Sequence, residues 1–299
     1  MSIATSQQLT RYYDTFRAIA VTYTKEIVKS TGLQPQNVFL KCLGEQWPCV
    51  IYSSSFNEAK ILAPNRPALM ERISKANNLV SVRLSFKISD NGDPVMFFIS
   101  GKVSGFSPYP QSNGTLQFIN IQFTQRPPDD FVEILGRMLE ANVNSARRRD
   151  DRILLTPEAV RKIGLARKES TILIDGVPRR CILRDLSFAG SKVIIVGLAK
   201  FLVGKPCKLR LDLEDPRETI AIAGTVVRYE DVEGRKDLTA IAIRFDDETI
   251  PMTYKMHLND YVGQKKNQTD DEPEDSAPAA RPRQRRLARP RRARRNNDR

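Results

Sequence analysis

The chain has 299 residues, of which 40% are hydrophobic and 28% charged, and its formal net charge is +13 at pH 7. This length and composition are typical of a globular protein with two ordinary domains. No stretch approaches the ~18 consecutive apolar residues of a membrane-spanning helix, and the N-terminus lacks the basic and apolar regions of a secretory signal. We therefore expect a cytoplasmic protein without a transmembrane segment.

The first predicted element is a long helix from Thr5 to Thr31, because its apolar residues recur at three- and four-residue steps and Gly32 follows as a typical C-terminal cap. After this helix the periodicity changes to that of strands. The expected strands are 38–43, 47–53, 58–62, 80–88, 95–103 and 116–123, with a short helix at 66–76. The Asn91-Gly92 pair is a strong hairpin signal, since both residues tolerate positive φ. Residues 1–128 are thus predicted to form a helix and a small antiparallel β-barrel.

A connecting helix is predicted at residues 129–146. Two prolines, Pro127 and Pro128, end the preceding region, and Asp129 and Asp130 favour a helix start. An apolar stripe then runs along the helix toward Ala146. This helix would carry the following residues from one domain to the other.

An arginine cluster comes directly after the connecting helix. Arg147 opens it, and Arg148 and Arg152 form an RxxxR pattern that lets two planar guanidinium groups converge on one ligand. Such groups match phosphate oxygens and the O6/N7 edge of guanine, because both present paired acceptors to a rigid donor fork. Clustered arginines are usually a solvated face, so the pattern alone carries little weight.

A second pattern, Asp185, Ser187 and Gly190, lies in a predicted turn between the strands Cys181–Arg184 and Ser191–Val196. A carboxylate there can accept from guanine N–H groups, a hydroxyl can bond a phosphate, and glycine allows close backbone approach. DxSxxG alone is an ordinary turn. Its order and separation from the arginines strengthen the joint interpretation as a guanine and phosphate pocket.

Together the two patterns resemble the two-part motif of PilZ domains, which are bacterial receptors for the second messenger cyclic di-GMP. The likeness covers roughly Ala146 to Val262 and includes the strands Ile222–Arg228 and Ala240–Phe245, although Ala242 stands where many members carry glycine. The order of domains also resembles two-domain spirochaetal PilZ proteins, whose N-terminal half is a degenerate PilZ-like barrel.

The resemblance implies a fold and a set of site residues. The fold is mainly β with helices, namely two small antiparallel β-barrels joined by a helix, with the PilZ domain at 147–262. The implied cyclic di-GMP contacts are Arg148, Arg152, Asp185, Ser187 and Gly190, with Arg147 as a further contact. Ligand binding at the junction would also fix the arrangement of the two domains.

The last segment, 263–299, is predicted to be a disordered tail. Asp270 to Asp275 is acidic, whereas Arg281 to Arg299 carries ten arginines and one aspartate. Its net charge of +9 accounts for most of the +13, and the rest of the chain is only +4. Such an arm can hold nucleic acid or another polyanion, or can fold back on the acidic block.

The sequence contains few residues and motifs that are typical of catalytic or metal-binding sites. The chain has four cysteines without CxxC spacing and a single histidine, His257, and it has neither a GxSxG motif nor a P-loop. We predict no enzyme activity, no metal and no cofactor. Two functions remain: a cyclic di-GMP receptor that reorients its domains to regulate a partner, or a polyanion-binding adaptor acting through the tail and the N-terminal barrel.

Overall fold

The computed structural model describes residues 4–197 and 199–270. In the first half the chain forms, in order, α1 (Ser6–Phe16), β1 (Val21–Thr22), α2 (Lys25–Thr31), β2 (Phe39–Cys42), β3 (Glu45–Pro48), β4 (Val50–Ser54), β5 (Glu58–Pro64), α3 (Pro67–Lys75), β6 (Leu79–Phe86), β7 (Val95–Pro108), β8 (Leu116–Phe123) and α4 (Asp129–Arg147). The predicted strands are present, except that 47–53 is divided between β3 and β4 with a break at Cys49, and the predicted connecting helix corresponds to α4.

The prediction of one helix from Thr5 to Thr31 is wrong. Helix α1 ends at Phe16, and the chain then forms β1, which pairs with β4, before α2 begins. The side chain of Thr24 caps α2 by accepting from the backbone N–H of Ile27. A β-branched run followed by a good N-cap residue favours a strand and a new helix start over continuation of the first helix.

The N-terminal sheet has eight antiparallel strands in the order β1-β4-β5-β8-β7-β6-β2-β3. In the part of the chain that the structure describes, its two edge strands do not pair with each other, so it is a curled half-barrel. Helix α4 fills the concave side, where Phe131, Val132, Leu135 and Met138 are buried in the same core as the inward strand residues. The opposite face of the sheet points to solvent.

The second half forms β9 (Ile153–Leu154), α5 (Pro157–Ile163), β10 (Glu169–Ile174), β11 (Val177–Ser187), β12 (Gly190–Val196), β13 (Pro206–Glu214), β14 (Arg217–Val232), β15 (Arg235–Phe245) and α6 (Met252–Asp270). Strands β10 to β15 follow the order β10-β13-β14-β15-β12-β11, and β11 pairs back to β10. This closes a six-stranded antiparallel barrel with its own apolar core. The predicted class, mainly β with helices and a PilZ-type barrel, is therefore confirmed.

Two predicted boundaries differ in this half. The turn expected at Asp185 to Gly190 is much shorter, because the β11–β12 ladder continues through Asp185, Leu186 and Ser187 and leaves only two residues at its tip. Helix α6 continues to Asp270, although 263–270 was assigned to the tail. Lysine and glutamine are good helix formers and extend a helix that packing has already started. The Arg-rich segment 281–299 lies outside the described residues.

The two halves meet along α4 and α6. Arg137 of α4 forms an ion pair with Asp260 of α6, and the Asn144 side-chain amide donates to Asn259 Oδ1 at 2.7 Å. Glu140 of α4 accepts from Asn259 as well, at 3.4 Å. The interface thus combines polar contacts between a helix of each domain with apolar packing, since Met252 and Met256 of α6 lie against the N-terminal core.

A second contact joins two hairpins, one from each half. Asp215 accepts from the Ser89 hydroxyl at 3.0 Å and from the backbone N–H of Asp90 at 3.1 Å, and Asp90 in turn accepts from the backbone N–H of Arg217 at 2.6 Å. Each hairpin therefore contributes one carboxylate to the backbone of the other. A rearrangement of the two domains would therefore either break these hydrogen bonds or move the two hairpins together.

Candidate functional site

The arginine segment lies between two anchored elements. Helix α4 ends at Arg147, and the backbone N–H of Arg148 donates to Asn144 O at 2.8 Å as the helix terminates. A turn closes when the Asp151 N–H donates to Arg148 O at 3.2 Å, and β9 then pairs with β11 at Asp185 and Leu186. The segment therefore runs directly from the N-terminal domain onto the barrel strand that carries the second motif.

The two motifs meet in a direct contact. Arg152 Nη1 donates to Asp185 Oδ1 at 2.6 Å. The Asp185 side chain is 11% exposed and that of Arg152 is 43% exposed, so the carboxylate is set in the barrel wall and the guanidinium covers it. Asp185 Oδ1 also accepts from the backbone N–H of Lys192 at 3.0 Å. Both bonds hold the carboxylate in one orientation.

Ser187 is buried and is tied to the end of the barrel. Its hydroxyl donates to Gly190 O at 3.1 Å, and its carbonyl accepts from the Tyr254 hydroxyl of α6 at 2.8 Å. The pKa of Tyr254 is raised well above its usual value by burial and, secondarily, by the charge of Asp185. Tyr254 therefore remains a neutral donor that links the motif to α6.

Gly190 has a steric role in the barrel wall. A Cβ atom at this position would lie 2.3 Å from the carbonyl oxygen of Ile243 on β15. Because real Cβ atoms do not come that close to backbone, only glycine allows β12 and β15 to pair here. From the sequence, Gly190 is expected to shape the turn and to allow close approach of the ligand. The structure shows a further reason for glycine, which is the close contact between β12 and β15.

Arg149, which the sequence patterns did not select, makes a bidentate contact with the barrel domain. Its guanidinium donates two parallel hydrogen bonds of 2.8 Å to the carboxylate of Asp247, and its carbonyl accepts from the Ala189 N–H at 3.0 Å. Hydrogen bonding from Arg149 holds the pKa of Asp247 below its ordinary value. The side chain between the two motif arginines thus anchors the segment to the barrel.

Arg147 and Arg148 differ from their neighbours. Within residues 4–197 and 199–270, neither guanidinium has a side-chain hydrogen bond or an ion pair, and Arg147 is exposed whereas Arg148 is half-buried. Arg152 uses one of its five N–H donors on Asp185, so four remain. The site therefore offers several unused guanidinium donors beside a fixed carboxylate, which suits a guanine nucleotide with negative phosphates.

Several contributing residues carry no signal in a single sequence. Tyr254 and Asp247 lie on elements that follow the barrel strands and reach the motifs only through tertiary packing, whereas Lys192 contacts Asp185 within the β11–β12 hairpin. Arg149 was visible as part of the cluster, but nothing in the sequence separated its role from those of Arg148 and Arg152.

The geometry agrees with the family to which the chain is similar. A PilZN3 domain model matches residues 7–142, and a PilZ domain model matches residues 146–264. A protein described as a cyclic di-GMP binding protein, from Treponema denticola, is 44% identical over 285 residues, covering 94% of this chain and 91% of the relative. The chain belongs to the PilZ-domain family, in the two-domain form that carries a PilZN3 domain before the PilZ domain.

Solved structures of proteins in complex with c-di-GMP are also similar. The crystal structure of Borreliella burgdorferi PlzA in complex with c-di-GMP matches with 22% identity, covering 86% of this chain and 98% of the other, at a TM-score of 0.39. YcgR from Escherichia coli, also in complex with c-di-GMP, matches with 13% identity, covering 87% and 96%, at a TM-score of 0.27.

Two other kinds of site are absent from the part of the chain that the structure describes. No helix within the described residues is long and apolar enough to cross a membrane. The same part of the chain contains no group of three or more histidine, cysteine, aspartate or glutamate residues arranged to hold a metal ion. The four cysteines, Cys42, Cys49, Cys181 and Cys207, are buried free thiols.

Proposed function

We propose that this protein is a cyclic di-GMP receptor of the cytoplasm, without catalytic activity, and that its ligand binds where the arginine segment crosses onto the PilZ barrel. The contact between Arg152 and Asp185 is the observation that carries the proposal, because it brings the two motif halves together. The described function of the Treponema denticola relative, which is 44% identical to this chain, supports the choice of ligand.

Each motif residue has a role in this proposal. Arg148 and Arg152 donate to phosphate and to the guanine edge, and Arg147 supplies a further positive charge at the rim. Asp185 accepts from guanine N–H groups with the oxygen that its backbone bond leaves accessible. Ser187 and Gly190 hold the strand ends at the spacing that places Asp185 beside the arginines.

Calorimetric titration with cyclic di-GMP tests the proposal, with GTP and cyclic AMP as ligand controls. Loss of one bidentate guanidinium contact weakens binding by about 1–3 kcal/mol, or roughly five- to more than a hundredfold. We expect this loss for Arg152→Ala and also for Arg152→Lys, because an ammonium group cannot form the fork.

A matched control is Arg180→Ala. Arg180 is an exposed arginine on β11, the strand that carries Asp185, but it lies near the opposite end of that strand. Its removal changes the net charge by the same amount and is expected to leave affinity unchanged. Equal affinities for the parent and Arg152→Ala would contradict the proposal.

Ligand binding is further proposed to change the arrangement of the two domains. The arginines follow α4, which belongs to the N-terminal core, whereas Asp185 belongs to the barrel, so a ligand that contacts both constrains the junction. A ligand shifts this equilibrium only by its differential affinity for the two arrangements. Small-angle scattering and protease sensitivity near Arg149 measure the change. Identical scattering and cleavage with and without saturating ligand would rule it out.

The polyanion-binding adaptor is the second candidate, favoured by the net charge of +9 in residues 281–299. Deletion after Ala280 is expected to leave cyclic di-GMP affinity unchanged and to weaken salt-sensitive binding to nucleic acid or anionic lipid. Undiminished binding by the truncated protein across a salt series would assign that activity to a folded domain instead.

A further inference from the structure

The solvent face of the N-terminal sheet carries aromatic and basic side chains in a regular arrangement. Phe39 of β2, Arg83 of β6 and Phe98 of β7 stand directly opposite one another on three adjacent strands. Their neighbours along the strands, such as Leu40, Val82 and Phe97, point into the core, so these three point outward. The PilZ motif residues belong to the other domain, and the proposed messenger site makes no use of this surface.

The cations on this face lie against the rings. The Arg83 guanidinium carbon lies 5.3 Å from the centroid of Phe39, and the Lys41 ammonium lies 5.3 Å from that of Phe98. Arg83 Nε also contacts the sulfur of Met96 at 2.8 Å. We name this set, Phe39, Lys41, Arg83, Met96 and Phe98, the aromatic–basic face.

Phe98 and Met96 remain accessible despite these contacts, whereas Phe39 is half-buried. Phe98 is 42% exposed and Met96 is 52% exposed, although burial is the usual condition for such side chains. Cation–π contacts at exposed positions are weak, so a flat ligand can replace them without a large loss. An exposed group of large apolar side chains on an otherwise polar surface is typical of an interaction site.

The charge of the surrounding surface selects the kind of partner. Lys102 joins Lys41 and Arg83 among the outward positions of β2, β6 and β7, which include no carboxylate. The surface therefore combines aromatic side chains with positive charge that no carboxylate of these three strands compensates. Single-stranded nucleic acid presents both free base faces and negatively charged phosphates, whereas duplex DNA or RNA keeps its base faces stacked internally.

We propose that the aromatic–basic face binds single-stranded nucleic acid, with bases stacking on Phe39 and Phe98 and phosphates contacting Lys41 and Arg83. This activity is separate from cyclic di-GMP binding, so either could fail without the other. It also differs from binding by the Arg-rich segment 281–299, which requires only charge and would accept duplex as well as single strands.

The test uses the full-length protein and a fluorescein-labelled oligothymidylate of about 15 nucleotides, a length suited to one sheet platform. Fluorescence anisotropy compares this strand with the same strand annealed to oligoadenylate, over a series of NaCl concentrations. We expect tighter binding of the single strand. The double variant Phe39→Ala/Phe98→Ala is expected to weaken that binding at least about tenfold, with its salt dependence unchanged.

A charge variant separates the two contributions. Lys41→Gln/Arg83→Gln removes two cations and should reduce the slope of log K against log [NaCl] by about 1.4. Tyr229→Ala is the matched control, because Tyr229 is 41% exposed, as Phe98 is 42% exposed, but lies on the C-terminal barrel. It should leave oligonucleotide affinity unchanged. Equal thermal unfolding midpoints for all variants would show that the sheet is intact.

Three results would overturn the proposal. One is equal affinity for single strand and duplex, and another is full affinity of Phe39→Ala/Phe98→Ala, since either would place the binding in the charged segment. The third is displacement of the oligonucleotide by polyglutamate as readily as by unlabelled oligothymidylate, which would point to an acidic protein as the partner of this face.

Discussion

The two domains begin from similar short antiparallel strands but enclose their cores differently. In the C-terminal domain β11 pairs with β10 and the barrel closes, so strand side chains from all sides fill the interior. In the N-terminal domain α4 occupies the concave side and the sheet stays open. Helix α4, which fills the N-terminal domain, thus ends at the candidate binding site of the C-terminal domain. The difference shows that strand pattern alone does not decide whether a sheet closes.

The strongest test of this comparison removes the aromatic centre of the open domain. Phe131 of α4 is fully buried, and its ring lies 5.8 Å from that of Phe97 and 6.2 Å from that of Phe56. Phe131→Ala is expected to destabilise the protein by about 3–5 kcal/mol, through lost burial and the cavity left behind. Urea unfolding measures this effect, and cyclic di-GMP affinity should fall with it because the motif arginines follow directly after α4.

Phe106→Ala is the control for that variant. Phe106 lies on β7 of the same sheet but is 39% exposed, so its loss is expected to change stability by less than about 0.5 kcal/mol. Similar effects of the two substitutions would mean that α4 is not the core of the open domain.

A smaller effect is expected at the interface between the domains. Arg137 and Asp260 have side chains 15% and 31% exposed, so their ion pair is intermediate between surface pairs and buried ones. Asp260→Asn is expected to lower the unfolding free energy by about 1–2 kcal/mol and to separate the unfolding of the two domains. Denaturant unfolding followed by circular dichroism and by tryptophan fluorescence should then give two midpoints, since Trp47 reports only on the first domain.

The control for Asp260→Asn is a variant that breaks an ion pair inside one domain. Asp237→Asn breaks the pair between Asp237 and Arg235, whose side chains are 59% and 60% exposed within one hairpin. Such a pair contributes little, and unfolding should stay a single transition. If Asp260→Asn unfolded in the same way as Asp237→Asn, the α4–α6 ion pair would have no part in coupling the domains.

The smallest effect is the pH dependence of the contact between Arg149 and Asp247. Because the pKa of Asp247 is lower in the folded protein than its ordinary value, this pair stabilises the fold above the unfolded pKa of about 4, and the contribution is lost as pH falls through the folded pKa. Both side chains are about half exposed, so we expect only about 0.3 kcal/mol. Unfolding free energies of the parent and Asp247→Asn should differ at neutral pH and converge in acid. A constant difference would show that this carboxylate does not carry the effect.

Sequence patterns predicted those parts of the molecule that depend on local chemistry. Alternation located the strands, Gly32 ended a helix as expected, and the apolar stripe located α4. The split of the first helix was missed because apolar residues at helical spacing continue across β1, where pairing with β4 decides the outcome. Closure of the barrel depends on contacts between distant strands, which no local pattern reports.

The candidate site likewise has residues that the sequence predicted and features that it did not. Arg152 and Asp185 were selected from their motifs, and the structure places them in contact at 2.6 Å. The requirement for glycine at position 190 arises from Ile243, more than fifty residues away in sequence, so its physical cause was out of reach. Tyr254 and Asp247 were equally hidden, since each acts from an element that follows the barrel.

The position of α6 has a consequence for how the protein is made. The ribosome completes the N-terminal domain first, and α4 can then fold with its own sheet while the barrel is still being synthesised. All motif residues have emerged by Gly190, yet Tyr254 and the helix that packs on α4 come much later. A nascent chain that stops before Met252 would therefore contain every motif residue without the support beneath Ser187. Competence to sense a messenger would be acquired only near the end of translation.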